Sequence, residues 1–376
     1  MSAQEPGRAA PAGTGRDPQF DQLGGSISTS SNTSVEAAAT ILDIALFYIR
    51  RGWNPVPIPF KKKKPIDRDW QKRIIDEAMA PRFFNGGSQN IGIQLGPSSH
   101  GLTDLDLDCA EAVALAPYIL PPTGAIFGRA SKRRSHWLYT TDLSIECDTA
   151  VVQFKAPDGR MLLELRIGGG GKGAQTVFPG STHENGETVS WEMNKDGEPA
   201  EVDGEQLTRC AKTLAAATLI ARTWPAEGSR HRAALVVGGV LARAGMGDRS
   251  AAYLVEAIAR AAGDCEWRDR AQAAKDAVKN SNAGGKTPGF SQLAEIVGKP
   301  AAQKIAEWLD YRPSTAGRGQ TGHKTRVCRQ FIAECRCNLG PLPQLHAYAP
   351  IHLYAEPRAV AAGERQWTNS PGPIVR

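Results

Sequence analysis

The chain has 376 residues, of which 41% are hydrophobic and 22% are charged, and its formal net charge is +6 at pH 7. This composition is ordinary for a globular protein and excludes a chain that is disordered throughout. The length suggests about two domains, no apolar run reaches the ~18 residues of a membrane span, and the seven cysteines lack the paired spacing of a disulfide framework. We therefore expect a protein of the reducing cytoplasm with no membrane partner.

The first part of the chain predicts a tail, a helix and two strands. Residues 1–34 are rich in Gly, Ala, Ser, Pro and Thr and lack the charged and apolar regions of a signal peptide, which predicts a disordered tail. Residues 35–51 carry apolar side chains at helical spacing and are followed by a glycine, which predicts a helix over this range. Strand patterns come next, at residues 54–59 and 90–95, with a run of four lysines at 61–64 between them.

Three aspartates at alternate positions are the most informative feature of the sequence. Asp104, Asp106 and Asp108 lie in the apolar segment 101–109, and alternate residues of a strand point to one face. A carboxylate among apolar side chains is costly unless a counter-charge accompanies it, and a divalent cation such as Mg²⁺ or Mn²⁺ would supply one. Two other interpretations stay open: a solvated strand edge, or an N-cap formed by Asp108 for a helix predicted at 110–118.

Further strands and helices are predicted after this segment. Helices and strands interleave as far as Trp191, which indicates a mixed α/β or α+β unit with strands near 124–127, 136–140, 150–154 and 161–166. From residue 206 onward the apolar residues recur at helical spacing, which predicts a separate all-helical domain with helices at 206–223, 230–244, 250–262, 267–278 and 291–309. Residues 312–376 lose this periodicity and are predicted to be mostly extended or disordered, with one helix near 327–335.

Two more polar residues lie on predicted strands and could join the aspartates in one site. His136 follows Ser135 on an apolar strand, and Glu164 is flanked by leucines. A strand histidine is more often a packed structural group, and Glu164 could simply pair with Arg166. In combination with the acidic strand, however, a third acid could help to hold divalent ions, and a histidine between them could bond a triphosphate.

A glycine run and two basic runs complete the candidate features. Residues 168–173 contain five glycines and one lysine, and they could form a flexible hairpin tip or a place where backbone approaches a ligand. They are not a P-loop, because the required first glycine and the Ser or Thr after the lysine are missing. The basic runs 61–64 and 132–134 are either solvated loops or contacts for a polyanion.

Several blocks of the sequence, taken in order, resemble the motifs of the bifunctional DNA primase/polymerases of the archaeo-eukaryotic primase superfamily. Members of this family occur on plasmids, phages and integrated elements. The resembling blocks fall within residues 37–192 and are RGWNPVP (51–57), Lys64-Pro65 with Trp70-Gln71, NIGIQLG (90–96), LDLD (105–108), SHW (135–137), LELR (163–166), QTVFPGSTH (175–183) and Trp191. Parts of the helical region also resemble the helical domain that often follows this module.

The resemblance implies a fold class and domain boundaries. We expect an α+β fold in which mixed β-sheets with an RRM-like core are flanked by helices and followed by a small all-helical domain. The implied segments are a disordered tail (1–34), a primase/polymerase catalytic domain (35–200), a helical domain (201–310) and an irregular or disordered tail (311–376).

The resemblance also implies roles for individual residues. Asp106, Asp108 and Glu164 would bind Mg²⁺ or Mn²⁺, His136 would contact the nucleotide, and Asp104 would be either a further ligand or a support for the ligands. The nucleotide pocket would include Ser135, Arg166, Gln175, Ser181 and His183. Contacts with phosphates or nucleic acid would come from Lys64, Lys132, Arg133 and Arg134.

The implied activity is template-dependent DNA priming and polymerisation on a mobile element or phage. The enzyme would transfer nucleotides from NTPs or dNTPs to a 3′-hydroxyl by a two-metal in-line displacement. Single-stranded DNA would be its template, and a separate replicative helicase would be a partner. Two other hypotheses stay open: a non-catalytic nucleic-acid-binding module for replication initiation, and a metal-dependent nuclease.

Overall fold

A computed structural model of the chain describes residues 39–85, 87–192 and 197–313. The predicted N-terminal tail, the first residues of the predicted helix 35–51 and the predicted helix near 327–335 lie outside these residues. No helix of the described segments is both long enough and apolar enough to cross a bilayer.

The described segments contain ten strands and ten α-helices, interleaved in the first half and purely helical in the second. The strands are β1 (Asn54–Pro59), β2 (Gln89–Gln94), β3 (Leu102–Leu107), β4 (Ile126–Arg129), β5 (Lys132–Thr140), β6 (Val151–Lys155), β7 (Met161–Arg166), β8 (Gln175–Val177), β9 (Ser190–Trp191) and β10 (Ala200–Glu201). The helices are α1 (Ile41–Arg50), α2 (Ala80–Phe83), α3 (Ala110–Ile119), α4 (Leu143–Glu146), α5 (Gly204–Arg222), α6 (Arg230–Arg243), α7 (Asp248–Ala261), α8 (Trp267–Asn282), α9 (Phe290–Val297) and α10 (Lys299–Trp308).

The strands form two sheets, and their order places β3 in the middle of the larger one. The smaller sheet has the order β1-β2-β8, and the larger has the order β6-β7-β3-β5-β4-β9, with β10 paired to β5. All pairs are antiparallel except β10 with β5. This mixture of antiparallel sheets and helices, followed by a helical region, confirms the predicted α+β fold class.

The alternation of side chains along β3 separates two hydrophobic cores. Leu105 and Leu107 point to one face and join the core that extends to the helical region, whereas Leu102 points to the other face and joins the core between β3 and the smaller sheet. Asp104 and Asp106 share the face of Leu102, because side chains two residues apart on a strand lie on the same side. The two carboxylates therefore lie at the margin of a hydrophobic core.

The helical region packs directly on the sheet. Helix α5 contacts α3 and β7, and one continuous core includes Leu163 of β7, Leu115 of α3 and Leu214 of α5. Asp203 caps α5, since its Oδ1 accepts a hydrogen bond from the backbone N–H of Gln206 at 2.8 Å. The division into a catalytic and a helical domain at residue 200 stays a prediction.

One predicted helix is divided in two. The sequence pattern predicted a single helix at 291–309, but α9 ends at Val297 and α10 begins at Lys299. Gly298, between them, has a φ of 83°, which is left-handed backbone that glycine adopts without strain. Pro300 follows in the first turn of α10, where its missing N–H would have no intrahelical partner.

The glycine run at 168–173 connects β7 to β8 and packs against other parts of the backbone. Gly168 has a φ of 76°, and a Cβ at this position would collide with the carbonyl of Leu95. A Cβ on Gly170 would lie 2.7 Å from the carbonyl oxygen of Asp148. Close backbone approach is therefore the reason for these glycines, and the group they approach is the protein itself.

Candidate metal and nucleotide site

The register of the larger sheet brings the predicted acids together. Asp106 on β3 lies directly opposite His136 on β5 and Glu164 on β7, and directly opposed residues share a face of the sheet. Asp108 follows the end of β3. Carboxylate oxygens of Asp106, Asp108 and Glu164 lie within 4.8 Å of one another, and we call these three residues the acidic cluster.

Two cations neutralise the acidic cluster. Arg166 donates from Nη2 to Asp106 at 2.6 Å and to Glu164 at 2.7 Å. The Nζ of Lys132 lies 3.2 Å from Asp108 Oδ1 and 3.7 Å from Asp106 Oδ1. Three carboxylates this close would repel one another strongly, so the arginine and the lysine stabilise the cluster.

Burial and neighbouring charges shift the pKa values of the two aspartates in opposite directions. Burial raises the pKa of Asp106, but the charges of His136, Arg166 and Lys132 outweigh it, so that the net pKa lies below its ordinary value. Burial and the neighbouring charge of Asp106 raise the pKa of Asp108. Asp106 is therefore the more firmly ionised of the two aspartates, and Asp108 is the carboxylate that gains more from an added cation.

Asp104 belongs to a different interaction. Its side chain is 0% exposed, its Oδ2 lies 3.0 Å from His136 Nδ1, and it accepts a hydrogen bond from Thr176 Oγ1 at 2.7 Å. Because a carboxylate can only accept, Nδ1 of the imidazole carries the proton. The ring of His136 also stacks on Phe127, with 4.5 Å between ring centroids. Asp104 and Phe127 thus fix the orientation of the histidine.

The acidic cluster fits a hard divalent cation. Asp106 is only 6% exposed, and its buried Oδ1 has no hydrogen-bond partner among the described residues. A buried acceptor without a partner is costly, and an ion bound by oxygens of Asp106, Asp108 and Glu164 would satisfy it. Carboxylate oxygens are the ligands that Mg²⁺ and Mn²⁺ prefer.

A cavity of about 470 Å³ opens beside the acidic cluster. We call it the site cavity. Asp106 and Asp108 form one part of its wall, and the rest is dominated by basic and polar side chains. These are Lys62, Lys63, Lys64, Arg129, Lys132, Arg166, Asn90, Ser135, His136, Gln175, Thr176 and His183.

Besides Asp106 Oδ1, two further buried polar atoms among the residues of this wall lack hydrogen-bond partners in the described structure. They are Nε2 of His183 and Oε1 of Gln175. The other ring nitrogen of His183 lies 2.8 Å from Asn185 Oδ1, which fixes the ring. A Cβ on Gly92 would lie 2.5 Å from Gln175 Oε1, so a glycine at this position leaves room for the amide. Neither atom uses its hydrogen-bonding capacity within the described residues, so a polar ligand that reached it would supply the missing partner.

Two amide side chains hold the lysine run 61–64, which we call the lysine loop, against the site cavity. Asn90 Nδ2 donates to the carbonyl of Lys62 at 3.1 Å and to that of Thr182 at 2.8 Å, and its Oδ1 accepts from the backbone N–H of Thr182 at 2.9 Å. Gln175 Nε2 donates to the carbonyl of Lys63 at 2.7 Å. Asn90 therefore links the lysine loop to the segment that precedes His183.

Some predicted site residues do not line the site cavity. The hydroxyl of Ser181 exchanges hydrogen bonds with the backbone of Ile91, both at 3.0 Å. Arg133 pairs with Glu192, and the guanidinium of Arg134 lies 5.6 Å from the ring centroid of Trp137. These three side chains support the fold near the cavity.

Other cavity residues were not predicted as site residues: Thr176, Asn90, Arg129, Lys62 and Lys63. The first two lie in blocks that resemble the family motifs, but their bonds depend on strand pairing that the sequence does not display. Lys62 and Lys63 belong to the basic run 61–64. The sequence of this run does not indicate which of its lysines line the site cavity.

The arrangement defines a site that can hold a divalent cation next to phosphate groups. Comparison with known families agrees with a site of this kind, because residues 45–205 match the family model described as bifunctional DNA primase/polymerase, N-terminal. This segment, which contains all the strands described above, belongs to that family, as the motif resemblance predicted. A search of curated proteins gave no match to the chain.

Proposed function

We propose that this protein is a DNA primase/polymerase, a nucleotidyltransferase that builds a strand from NTPs or dNTPs on a single-stranded DNA template. One observation carries the proposal: within the family segment, carboxylates of the acidic cluster face a cavity whose other walls carry basic side chains. Transfer from a nucleoside triphosphate requires carboxylates for metal and cations for phosphate. Residence on a mobile element or phage and partnership with a separate replicative helicase are further parts of the proposal.

The acidic cluster would hold the divalent ion or ions. Mg²⁺ or Mn²⁺ bound there would polarise the reacting phosphate and stabilise the charge that develops on the leaving pyrophosphate. Arg166 contacts both Asp106 and Glu164 and keeps their oxygens in place. Lys132 neutralises Asp108 in the structure, and it is placed to turn to a phosphate oxygen when that carboxylate takes another partner.

The basic wall would bind the triphosphate. Lys62 and Lys64 reach the cavity from the lysine loop, and compact ammonium groups bind phosphates well as point charges. His183 offers Nε2 as a hydrogen-bond partner. Since a concave, cation-lined site concentrates anions, these groups would raise the local concentration of the nucleotide before the reaction.

His136 would donate a hydrogen bond from Nε2. Asp104 occupies Nδ1 at 3.0 Å, so Nε2, 3.8 Å from Asp106 Oδ1, is the nitrogen on the side of the acidic cluster. Burial lowers the pKa of His136, but Asp106 and Asp104 raise it by more, and the net pKa lies above its ordinary value. A protonated imidazole at this position would stabilise negative charge on the triphosphate.

Strand synthesis on a defined template tests the proposal. The protein is incubated with a single-stranded DNA template, with and without an annealed labelled primer, in the presence of NTPs or dNTPs and Mg²⁺ or Mn²⁺. We expect longer products on gels, dependent on template, nucleotide and metal. Products on the unprimed template would further assign priming as well as extension.

Each contrary outcome points to one of the other hypotheses. Shortening of labelled DNA with metal and without nucleotides would identify a nuclease. Retention of DNA binding with no new or shortened product under any of these conditions would identify a non-catalytic binding module. Either result would overturn the proposed activity.

A further inference from the structure

A second cavity, of about 320 Å³, lies along the edge of the smaller sheet. We call it the proline groove. Its walls come from Pro55, Pro57 and Pro59 of β1 and from the rings of Trp70 and Phe83, among other residues. In the described residues β1 pairs only with β2, so the groove follows a sheet edge.

The prolines remove the hydrogen-bond donors from this edge. In an antiparallel strand, alternate residues direct their N–H groups to the same side. Because proline has no N–H, the residues of β1 that can donate to β2 are Val56 and Ile58, while Asn54 donates to the Ser99 hydroxyl. The outward positions are then the three prolines, which have no N–H. A peptide cannot add to this edge by the usual ladder of hydrogen bonds, which disfavours a strand-like protein partner.

The surface that remains is suited to flat rings. Trp70, Pro57 and Pro59 are partly exposed, and all three line the groove. Ile66, also in the wall, is 80% exposed. Unpaired nucleobases stack on aromatic side chains, whereas bases within a duplex already stack on each other. The groove therefore offers a stacking surface for the unpaired bases of a single-stranded nucleic acid.

The groove and the adjoining lysine loop together have a charge that is complementary to a polyanion. Residues 60–83 contain eight Lys or Arg and four Asp or Glu, and the basic excess corresponds to the four lysines of the loop. Arg73, Arg82 and Asp67 are part of the groove wall; Arg73 forms an ion pair with Asp67, and Arg82 is exposed. An excess of basic side chains beside apolar stacking surfaces favours phosphates and bases together.

The lysine loop connects the groove to the site cavity. β1 ends at Pro59 in the groove, and within five residues the chain places Lys62, Lys63 and Lys64 in the wall of the site cavity. We propose that the proline groove binds unpaired bases of the single-stranded DNA template, and that the lysine loop carries its backbone toward the acidic cluster. This inference rests on the proposed function, which supplies the template as the ligand.

Binding of single-stranded DNA, measured without nucleotide or metal, tests the inference separately from catalysis. We use fluorescence anisotropy with a labelled oligothymidylate. Ile66→Glu places a negative charge on the exposed rim and should weaken binding at least fivefold, while Ile145→Glu, at a comparably exposed position (85%) outside both cavities, should bind as the wild type does.

Two further variants test the stacking and the charge. Trp70→Ala should weaken binding at least fivefold, and Trp70→Phe should restore most of it, since a base stacks on either ring. Arg82→Ala should reduce the slope of log affinity against log salt by about one. Thermal unfolding of each variant checks that the fold is retained.

The outcomes separate this inference from the proposed function. Loss of affinity in Ile66→Glu and Trp70→Ala, with unchanged affinity in Ile145→Glu, supports the groove even if no strand is synthesised. Wild-type affinity in both Ile66→Glu and Trp70→Ala overturns the inference even if synthesis is robust. A protein or peptide would then be the ligand to test for the groove.

Discussion

Asp104 and Asp106 are two residues apart on one face of β3, yet the structure gives them different partners. Asp106 joins the acidic cluster, and Asp104 bonds His136 and Thr176. A carboxylate that holds the far nitrogen of an active-site imidazole fixes its tautomer and its orientation. We therefore assign Asp104 as a positioning residue for His136.

The substitution Asp104→Asn tests this assignment. We expect Mn²⁺ affinity to stay within about threefold of the wild type, because the acidic cluster is intact, and strand synthesis to fall about 10- to 100-fold, as is usual when a supporting carboxylate is lost. Isothermal titration with Mn²⁺ alone measures the first quantity, and Asp106→Asn, which should abolish binding, is the matched comparison. Equal loss of Mn²⁺ affinity in both variants would make Asp104 a metal ligand.

The sequence carried much of this information at the residue scale. Alternate spacing put the aspartates on one face, and the motif order associated His136 and Glu164 with them. The sequence could not show that Asp104 and Asp106 have different partners, because the partners depend on strand register. In the structure, Asp106 lies opposite both His136 and Glu164. Asp104 instead contacts the imidazole of His136.

At the scale of elements, Asn90 on β2 joins two segments that border the site cavity. Its amide bonds the lysine loop and the segment before His183. Four adjacent lysines repel one another, so their loop needs fixed anchors to keep its ammonium groups near the cavity. In the proposed reaction, Asn90 would therefore affect the affinity for the nucleotide without contributing a reacting group.

The substitution Asn90→Asp should raise the KM for the nucleotide about tenfold and change kcat by less than about threefold. The carboxylate cannot donate to the carbonyls of Lys62 and Thr182, and losing hydrogen bonds worth about 1.4 kcal/mol corresponds to a tenfold change. Steady-state primer extension at varied nucleotide concentration measures both constants.

Asn54→Asp is the matched control for this prediction. Asn54 is also a buried strand asparagine whose amide donates to a backbone carbonyl, that of Arg73, but it lies outside the wall of the site cavity. We expect a loss of thermal stability with unchanged KM. A parallel rise of KM in both variants would show that the effect of Asn90 is general destabilisation.

Most elements were predictable because their signals are local. Alternating apolar residues marked β3 and β7, and helical spacing marked α5 to α8. The division at Gly298 was missed because the apolar pattern continues on both sides of it. The positions of the lysine loop and the glycine run depend on contacts between distant segments, which no local pattern encodes.

At the scale of the whole molecule, an ion pair joins the helical region to the sheet-bearing part. Glu111 on α3 accepts two hydrogen bonds from Arg222 on α5, at 3.0 and 3.1 Å. Burial raises the pKa of Glu111, but the bonds from Arg222 outweigh it, so that the net pKa is lowered. A lowered pKa in the folded state contributes stability above the unfolded pKa, and this stability is lost as the pH falls through the folded value.

The substitution Glu111→Gln should lower the free energy of unfolding by about 1–2 kcal/mol at pH 7, the usual size for hydrogen bonds to a charged group. The difference from the wild type should shrink as the pH falls below about 4, because the wild-type carboxyl is then protonated as well. Urea unfolding at a series of pH values measures it. A difference that stays constant down to pH 3 would mean that the charge of Glu111 contributes nothing.

The acidic cluster is the feature on which the proposed activity depends, and primer extension by the double variant Asp106→Asn/Asp108→Asn tests it most directly. The wild type and the control Glu111→Gln, whose carboxylate lies outside the cluster, should both extend a labelled primer with Mg²⁺ or Mn²⁺. The double variant should lose at least about a thousandfold in rate, or about 4 kcal/mol of transition-state stabilisation. Extension by the double variant within tenfold of the wild type would contradict the assignment of the acidic cluster as the catalytic metal site.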